Sequence, residues 1–435
     1  MTATLEERRR HSPRAALRQT FRALRNWNYR MFWLGQVVST IGTWMQRIGL
    51  AWYVLDKTDS AFALGLVTMF QTLPVLLLAL IGGVIADRFP KRDLLFWTQG
   101  TLMLQSAGLA VLTAIGTSNL IPIYVLATIQ GIAKAIDNPT RQAFVKELVG
   151  PNDVPNAVAL NSIVFNSARL IGPALGGGVI ALVGVPGCFT IDAISFLGVL
   201  IGLFLMKPEK FYDIAGPQRG RMLGQISEGI RYAVRTPEIA VVLLLMLVVG
   251  TFGYNFTVLL PLIAEYVLDT GPVGFGVLTS TMAVGSLTAA VGIAYTGRVS
   301  QKTLLVGASG FTALLFCLSL TTTWATTILI LAPLGLFSIV FTATANSRLQ
   351  IITPPELRGR IMSLYTLMFL GSTPIGSLII GSLAEHQGVR MATAEVAGLC
   401  AVGIGLTFGY LYLHRPEQDE SRALEQQVVR EHTVR

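Results

Sequence analysis

Charge is scarce in this sequence: Asp, Glu, Lys and Arg make up 13% of its 435 residues, where a soluble domain carries roughly 25%. So small a polar complement cannot cover a water-facing globule, which excludes an ordinary soluble enzyme or binding domain. Cysteine is rare too. Cys188, Cys317 and Cys400 lie far apart with no C-x-x-C, so neither a disulfide framework nor a zinc site is indicated, and three small apolar residues inside helices are the simpler reading. Catalytic motifs are missing as well. There is no Walker A loop, H-E-x-x-H or G-x-S-x-G, and none of the four histidines falls deep in an apolar run. The chain is expected to be no enzyme, to carry no cofactor or metal, and to draw on an ion gradient or run downhill, since it lacks an ATP site.

What is abundant is apolar length. The sequence is 52% hydrophobic with a mean hydropathy of +0.60, and a helix needs about 20 apolar residues to cross a bilayer. Twelve such segments can be read, at 31–55, 61–86, 94–116, 121–143, 157–183, 188–206, 239–265, 274–296, 303–323, 326–347, 360–384 and 391–413. Turn signals such as Gly184-Val185-Pro186-Gly187 and Asp269-Thr270-Gly271-Pro272 fall between them. The expectation is an all-α integral membrane protein of twelve transmembrane helices in two pseudo-symmetric six-helix bundles. Its parts are a basic cytoplasmic N-terminal segment (1–30), an N-terminal bundle (31–206), a cytoplasmic interbundle loop (207–238), a C-terminal bundle (239–413) and a cytoplasmic tail (414–435).

Basic residues orient it. Of the 33 Lys and Arg, all but five lie on one side if the N-terminus is cytoplasmic; Lys57 and Arg390 lie in opposite loops, and Arg47, Lys134 and Arg169 lie within spans. This asymmetry predicts both termini inside and accounts for the net charge of +9 without any nucleic-acid partner. Arg8, Arg9 and Arg10 are too far from the first apolar run, which is itself too long for a cleaved signal core, to be an export signal. The stretch from Arg8 to Arg30 reads instead as a basic amphipathic segment on anionic headgroups.

The halves echo each other faintly. Asp87-Arg88-Phe89-Pro90-Lys91-Arg92 after span 2 corresponds to Gly297-Arg298-Val299-Ser300-Gln301-Lys302 after span 8, and Asn138-Pro139-Thr140-Arg141-Gln142 echoes Asn346-Ser347-Arg348-Leu349-Gln350. A repeat at half the chain length is what a duplicated transporter shows.

Gly83-Val84-Ile85-Ala86-Asp87-Arg88-Phe89-Pro90-Lys91-Arg92 matches the G-x-x-x-D-R-x-G-R-K motif of the major facilitator superfamily, with Pro90 in place of the second glycine. Ala168-Arg169-Leu170-Ile171-Gly172-Pro173-Ala174-Leu175-Gly176-Gly177 resembles the G-x-x-x-G-P-x-x-G-G motif of its proton-coupled exporters, with Ala168 at the first glycine. Residues 28–36, 138–145 and 356–360 are similar to the bacterial subfamily that includes the enterobactin exporter and macrolide-efflux-like permeases. The resemblance, over about residues 28–413, implies the major facilitator fold and export of drug-, macrolide- or siderophore-like small molecules from the plasma membrane. It also implies alternating access with protons as the coupling ion and a chain that functions as a monomer. Import or gradient-independent facilitation is the alternative.

The resemblance further implies a conformational latch. Asp87 would cap the N-terminus of span 11 near Arg358 and Arg360, with Lys91 reaching Asp137, and Gly83, Arg88, Arg92 and Arg141 completing the group. A helix N-terminus favours a carboxylate by about 0.3–1 kcal/mol. The competing reading is a positive-inside anchor that only sets topology. In span 5, Gly172, Gly176 and Gly177 allow close helix approach, and Pro173 removes one backbone hydrogen bond.

Ionisable residues inside spans are costly and mark candidate sites. Arg47 and Arg169 favour an anionic or electron-rich substrate, whereas Lys134, Asp137 and Arg141 read as a structural ion network. Asp192 and Glu395 are expected to snorkel at span ends, with Asp192 and Glu265 as possible proton carriers. The exporters' R-x-x-Q-G motif of span 4 is partial: Gln130-Gly131 are present, but Ala127 replaces the arginine. Trp44, Trp52, Phe252, Tyr254 and Phe256 either line a cavity or pack against lipid and protein.

Overall fold

The computed structural model describes residues 20–212, 222–296 and 300–413. Arg8–Arg10, the middle of the interbundle loop, Gly297-Arg298-Val299 of the second-half echo and the 414–435 tail lie outside the described residues.

The first six passes are α1 (Trp27–Thr58), α2 (Ala61–Arg88), α3 (Lys91–Ile115), α4 (Ile121–Val149), α5 (Val154–Val183) and α6 (Val185–Phe204). A short helix, α7 (Met222–Arg235), precedes the second six. Span 7 is α8 (Pro237–Val248), a π-turn at Val249–Gly253, and α9 (Phe256–Tyr266). Then come α10 (Gly271–Thr296), α11 (Gln301–Ser319) and α12 (Trp324–Ile352). Span 11 is split into α13 (Pro355–Leu370) and α14 (Thr373–Gln387), and α15 (Val389–Leu413) is span 12. Both ends of the described chain and the described parts of the link, 207–212 and 222–238, share one face, called the link face below; the other is the far face.

Nine helical stretches among the described residues are long and apolar enough to cross a membrane. The passes short of that measure are α1, α3 and α4; α1 and α4 hold the charges Arg47, Lys134 and Asp137, and all three hold buried glutamines. They carry a row of amides across their shared interior. Gln71 of α2 donates to Gln130 of α4 at 2.9 Å, Gln130 to Gln46 of α1 at 2.5 Å, and Gln46 to Gln105 of α3 at 2.9 Å. Amides bonded to one another can lie in an apolar bundle without the full desolvation penalty. Hydropathy therefore under-reads the helices that bury most of their polar groups against each other.

Local chemistry sets the helix ends. Ser60, Ser300 and Thr323 cap α2, α11 and α12 with side-chain oxygens that accept from the backbone three residues on. Gly116 ends α3 at φ 73°, where its N–H donates to the Leu112 and Thr113 carbonyls, a left-handed geometry that costs glycine nothing. In α1 the glycines Gly35, Gly42 and Gly49 recur every seven residues and face α6. A Cβ at Gly35 would sit 2.7 Å from the Gly198 carbonyl oxygen, so only hydrogen fits. Gly198 and Gly202 of α6 meet Gly35 and Met31 in that seam.

On the link face, Asn28 and Lys207 exchange two bonds of 2.9 Å, tying the end of the first half to its start. The basic segment is also pinned here. Arg22 pairs with Asp153 at 2.5 Å and Ala23 is wholly buried, so from Arg22 onward it packs on protein rather than only on headgroups.

Candidate functional site

The extensive contacts between the halves run along two helix pairs, α2 with α14 and α5 with α10. Both lie towards the far face. A Cβ at Gly65 of α2 would come within 2.6 Å of the Ser377 carbonyl oxygen. On the other seam the same test gives 2.5 Å from Gly177 to the Pro272 oxygen and 2.4 Å from Gly276 to the Pro173 oxygen. The span-5 motif is thus divided between two tasks. Gly172 and Gly176 receive Trp44, Met45 and Ile48 of α1, while Pro173 and Gly177 form the junction with α10. Ala168 is buried. Ser280 donates to the Leu170 carbonyl at 2.6 Å, one turn from Pro173 and across the same junction.

Towards the link face the halves part. Asp87, Arg88 and Arg358 are exposed, and Asp87 has no hydrogen bond or ion pair among the described residues. A Cβ at Gly83 would meet nothing within 4 Å. The expected cap of Asp87 on span 11 is therefore not made in this conformation, because the two helix ends stand apart. Arg360 pairs instead with Glu228 of α7 at 2.5 Å. Lys91 also differs from expectation: it reaches Glu147 of α4 at 2.8 Å, not Asp137. Arg92 donates to the Leu203 and Phe204 carbonyls at 2.9 and 3.3 Å, neutralising the C-terminal end of α6.

Asp137 is 2% exposed and accepts from Thr98 at 2.8 Å, Gln99 at 2.7 Å and Arg141 at 2.5 Å. Arg141 also bonds Gln36. Lys134 has no hydrogen bond or ion pair among the described residues, so the hydrogen-bonded part of the expected network is Asp137 and Arg141, with Lys134 in electrostatic range of both.

Lys134 belongs with the other intramembrane cations. Arg47 stacks over the Trp44 ring at 4.6 Å and lies within electrostatic range of both Arg169 and Lys134. Arg169 donates to Ser286 of α10 at 3.4 Å and acts on Tyr254. None of the three makes an ion pair among the described residues. The one carboxylate in range of Lys134 that is not already tied to Arg141 is Asp192. It does not snorkel as expected: at 0% exposure it packs against Gly42 and Thr43 of α1. Glu265 sits with Asp56, Asp59 and Asp269 near the far face, away from the cations.

The second half answers with aromatic rings. Tyr254 stacks on Phe311 at 5.0 Å and meets Phe256 and Phe369 edge-on, with Tyr365 stacked on Phe369. Trp44 packs against Phe165 rather than lying in this group. Two interruptions shape the aromatic wall. The π-turn of span 7 and the Gly371-Ser372 break of span 11 touch, with Gly250 against Ser372 and Gly376 against Thr251 and Asn255. Freed backbone carbonyls are bonded by side chains, as Asn255 does for Thr251 at 2.6 Å. Broken helices in mid-span frame substrate sites in transporters, since irregular backbone survives there only beside protein or water. Sequence reading missed them; the clusters Gly250-Thr251-Phe252-Gly253 and Gly371-Ser372-Thr373-Pro374 were the available signal.

Twelve passes in two halves, closed at one face and parted at the other around unpaired cations, define a membrane transporter of the major facilitator type. The chain belongs to the family described as transmembrane secretion effector, whose sequence model matches residues 18–433. It is 29% identical over 378 residues to the staphyloferrin A transporter of Staphylococcus aureus, covering 85% of this chain and 93% of that one. It is 25% identical over 395 residues to the enterobactin exporter EntS of Shigella boydii, with 90% and 93% covered. Among solved structures it is similar to a bacterial homologue of the human lysosomal transporter Spinster, with a TM-score of 0.70, 13% identity and coverage of 88% and 97%. A peptide-bound POT family transporter gives a TM-score of 0.72 at 13% identity, covering 89% and 96%. These structures share its fold.

Proposed function

We propose that this protein is a secondary transporter that exports a small anionic, siderophore-like molecule across the plasma membrane by alternating access, in exchange for protons. The link face is the cytoplasmic one, as the basic residues indicate. The observation that carries the reading is the trio Arg47, Lys134 and Arg169, three intramembrane cations without an ion-pair partner among the described residues. Isolated charge in low dielectric is expensive, and an anionic ligand is the natural relief. The aromatic wall opposite suits a cargo with a flat or apolar body. Two relatives carry siderophores in their names, and the span-5 motif favours export.

The test uses inside-out vesicles loaded with this protein. Staphyloferrin A and enterobactin, both iron-free, are supplied outside under a proton gradient acid inside. Accumulation in the lumen that is lost with Arg47→Ala or Arg169→Ala supports the reading. Uptake only in right-side-out vesicles assigns import, gradient-independent equilibration assigns a facilitator, and movement of neither compound removes the siderophore assignment.

A further inference from the structure

Span 2 and span 11 run antiparallel, so each has an N-terminus lying beside the C-terminal end of the other. At the link face that geometry places Asp87 opposite the start of α13. At the far face the roles reverse. Glu385 lies near the C-terminal end of α14, and one of its carboxylate oxygens accepts from the Ser60 hydroxyl and from the Phe62 backbone N–H, each at 3.1 Å. Ser60 meanwhile caps its own helix, accepting from Ala63 N–H at 3.1 Å. Two of the four unpaired N–H groups that open any helix are thus satisfied in α2, one from within and one from the opposite half. The first turn of α2 has no acidic residue of its own, so its positive end is matched by a carboxylate supplied across the seam. Asp59, just before the cap, accepts from Tyr266 of α9 at 2.8 Å, a second link between the halves at the same level. Directly beneath, Gly65 and Gly381 bring the backbones of α2 and α14 together.

We infer that Glu385 is a positioning residue that clamps the far face shut, the counterpart of Asp87 at the other end of the same helix pair, with only one of the two caps made at a time. In this conformation Glu385 is engaged and Asp87 is bare. Rocking the halves to close the link face would pull α14 off α2, uncap Phe62 and deliver Asp87 to the start of α13. The transporter then exchanges one charged cap for another of similar strength, which keeps its two states close in energy and the transition readily driven. This inference rests on the alternating-access reading but not on the identity or direction of the cargo.

The test needs no cargo. Cys188, Cys317 and Cys400 are replaced by serine or alanine, and Ser377→Cys is introduced in the seam, where Ser377 is fully buried beside Gly65. A vestibule of ≈ 550 Å³ lined in part by Asp59, Tyr266 and Glu385 gives a membrane-impermeant maleimide access from the far face. The alkylation rate then reads the fraction of time the far face is open. Glu385→Ala is expected to raise that rate about three- to thirty-fold, the range a charged helix cap commands, and Glu385→Gln less, because an amide oxygen still accepts. Asp87→Asn is expected to lower the rate, and the double variant to show the product of the two factors. Ser106→Cys, in the buried interior of the first half, is the control; if it labels too, the variant has unfolded and Glu385→Gln decides. An unchanged Ser377→Cys rate in a folded Glu385 variant overturns the clamp. Failure of siderophore transport leaves this result untouched.

Discussion

The Arg169 guanidinium donates to the Ser286 hydroxyl at 3.4 Å, a bond from one half of the transporter to the other. It is long, and Ser286 is also tied to the Met282 and Gly335 carbonyls at 3.0 and 3.2 Å. The arginine is held loosely where an incoming anion needs a free cation. Arg169→Ala should therefore raise the half-saturating concentration for an anionic cargo by about tenfold or more, the value of a charge-assisted hydrogen bond. Arg169→Lys should recover part of it, and Ser286→Ala should change it less than about threefold. Concentration-dependent uptake into vesicles measures all three.

The span-5 junction gives a steric prediction. A Cβ at Gly177 would lie 2.5 Å from the Pro272 carbonyl oxygen, backbone that cannot step aside cheaply. Gly177→Val should leave membrane insertion intact, hold the far face ajar and cut transport by about tenfold or more. Far-face thiol accessibility should rise in parallel. Normal transport in this variant would show that the seam never needs to close fully.

Asp137 tests the inner ion cluster. Its carboxylate gathers donors from α3 and α4, and Asp137→Asn leaves Arg141 without its counter-ion. Because Arg141 is 31% exposed and keeps Gln36, water screens part of the loss. The expected cost is about 1–3 kcal/mol, read as a lower unfolding temperature in detergent. Lys134→Met should instead change stability little and weaken anion transport, since Lys134 makes no hydrogen bond or ion pair within that cluster.

The pair Glu228–Arg360 is close, at 2.5 Å, but Glu228 is 60% exposed. Exposed ion pairs contribute about 0–1 kcal/mol. Glu228→Ala should shift transport by less than about twofold, and an effect tenfold or larger would give α7 a control function that this contact does not predict.

Much of the fold could be read directly, because lipid imposes a simple rule: apolar length marks a pass, and the basic residues collect at one face. The motifs around Asp87 and Pro173 could be placed for the same reason, since each belongs to a single helix and its ends. What escaped was partnership. Lys91 bonds Glu147 rather than Asp137 because the turn into α3 brings Lys91 to the link-face end of α4, a matter of which faces meet. Lys134 and Asp137 are neighbours along one helix and within electrostatic range, yet Asp137 takes its hydrogen bonds from α3 and Arg141 while Lys134 is also in range of Arg47 and Asp192. Asp192 looked like a residue near a helix end; Gly42 on α1 lets the two helices approach until no water reaches it. The breaks in spans 7 and 11 lay hidden within runs whose hydropathy is continuous.

The glutamine row has a mechanical consequence. Four helices of the first half are laced at one level by a chain of amides running from Gln71 through Gln130 and Gln46 to Gln105, whereas two passes of the second half are interrupted at theirs. The halves are built alike but are unequal in stiffness. Any bending that accompanies the rocking motion should collect around Tyr254 and Gly371, with the cationic side acting as the fixed jaw against which the aromatic side yields.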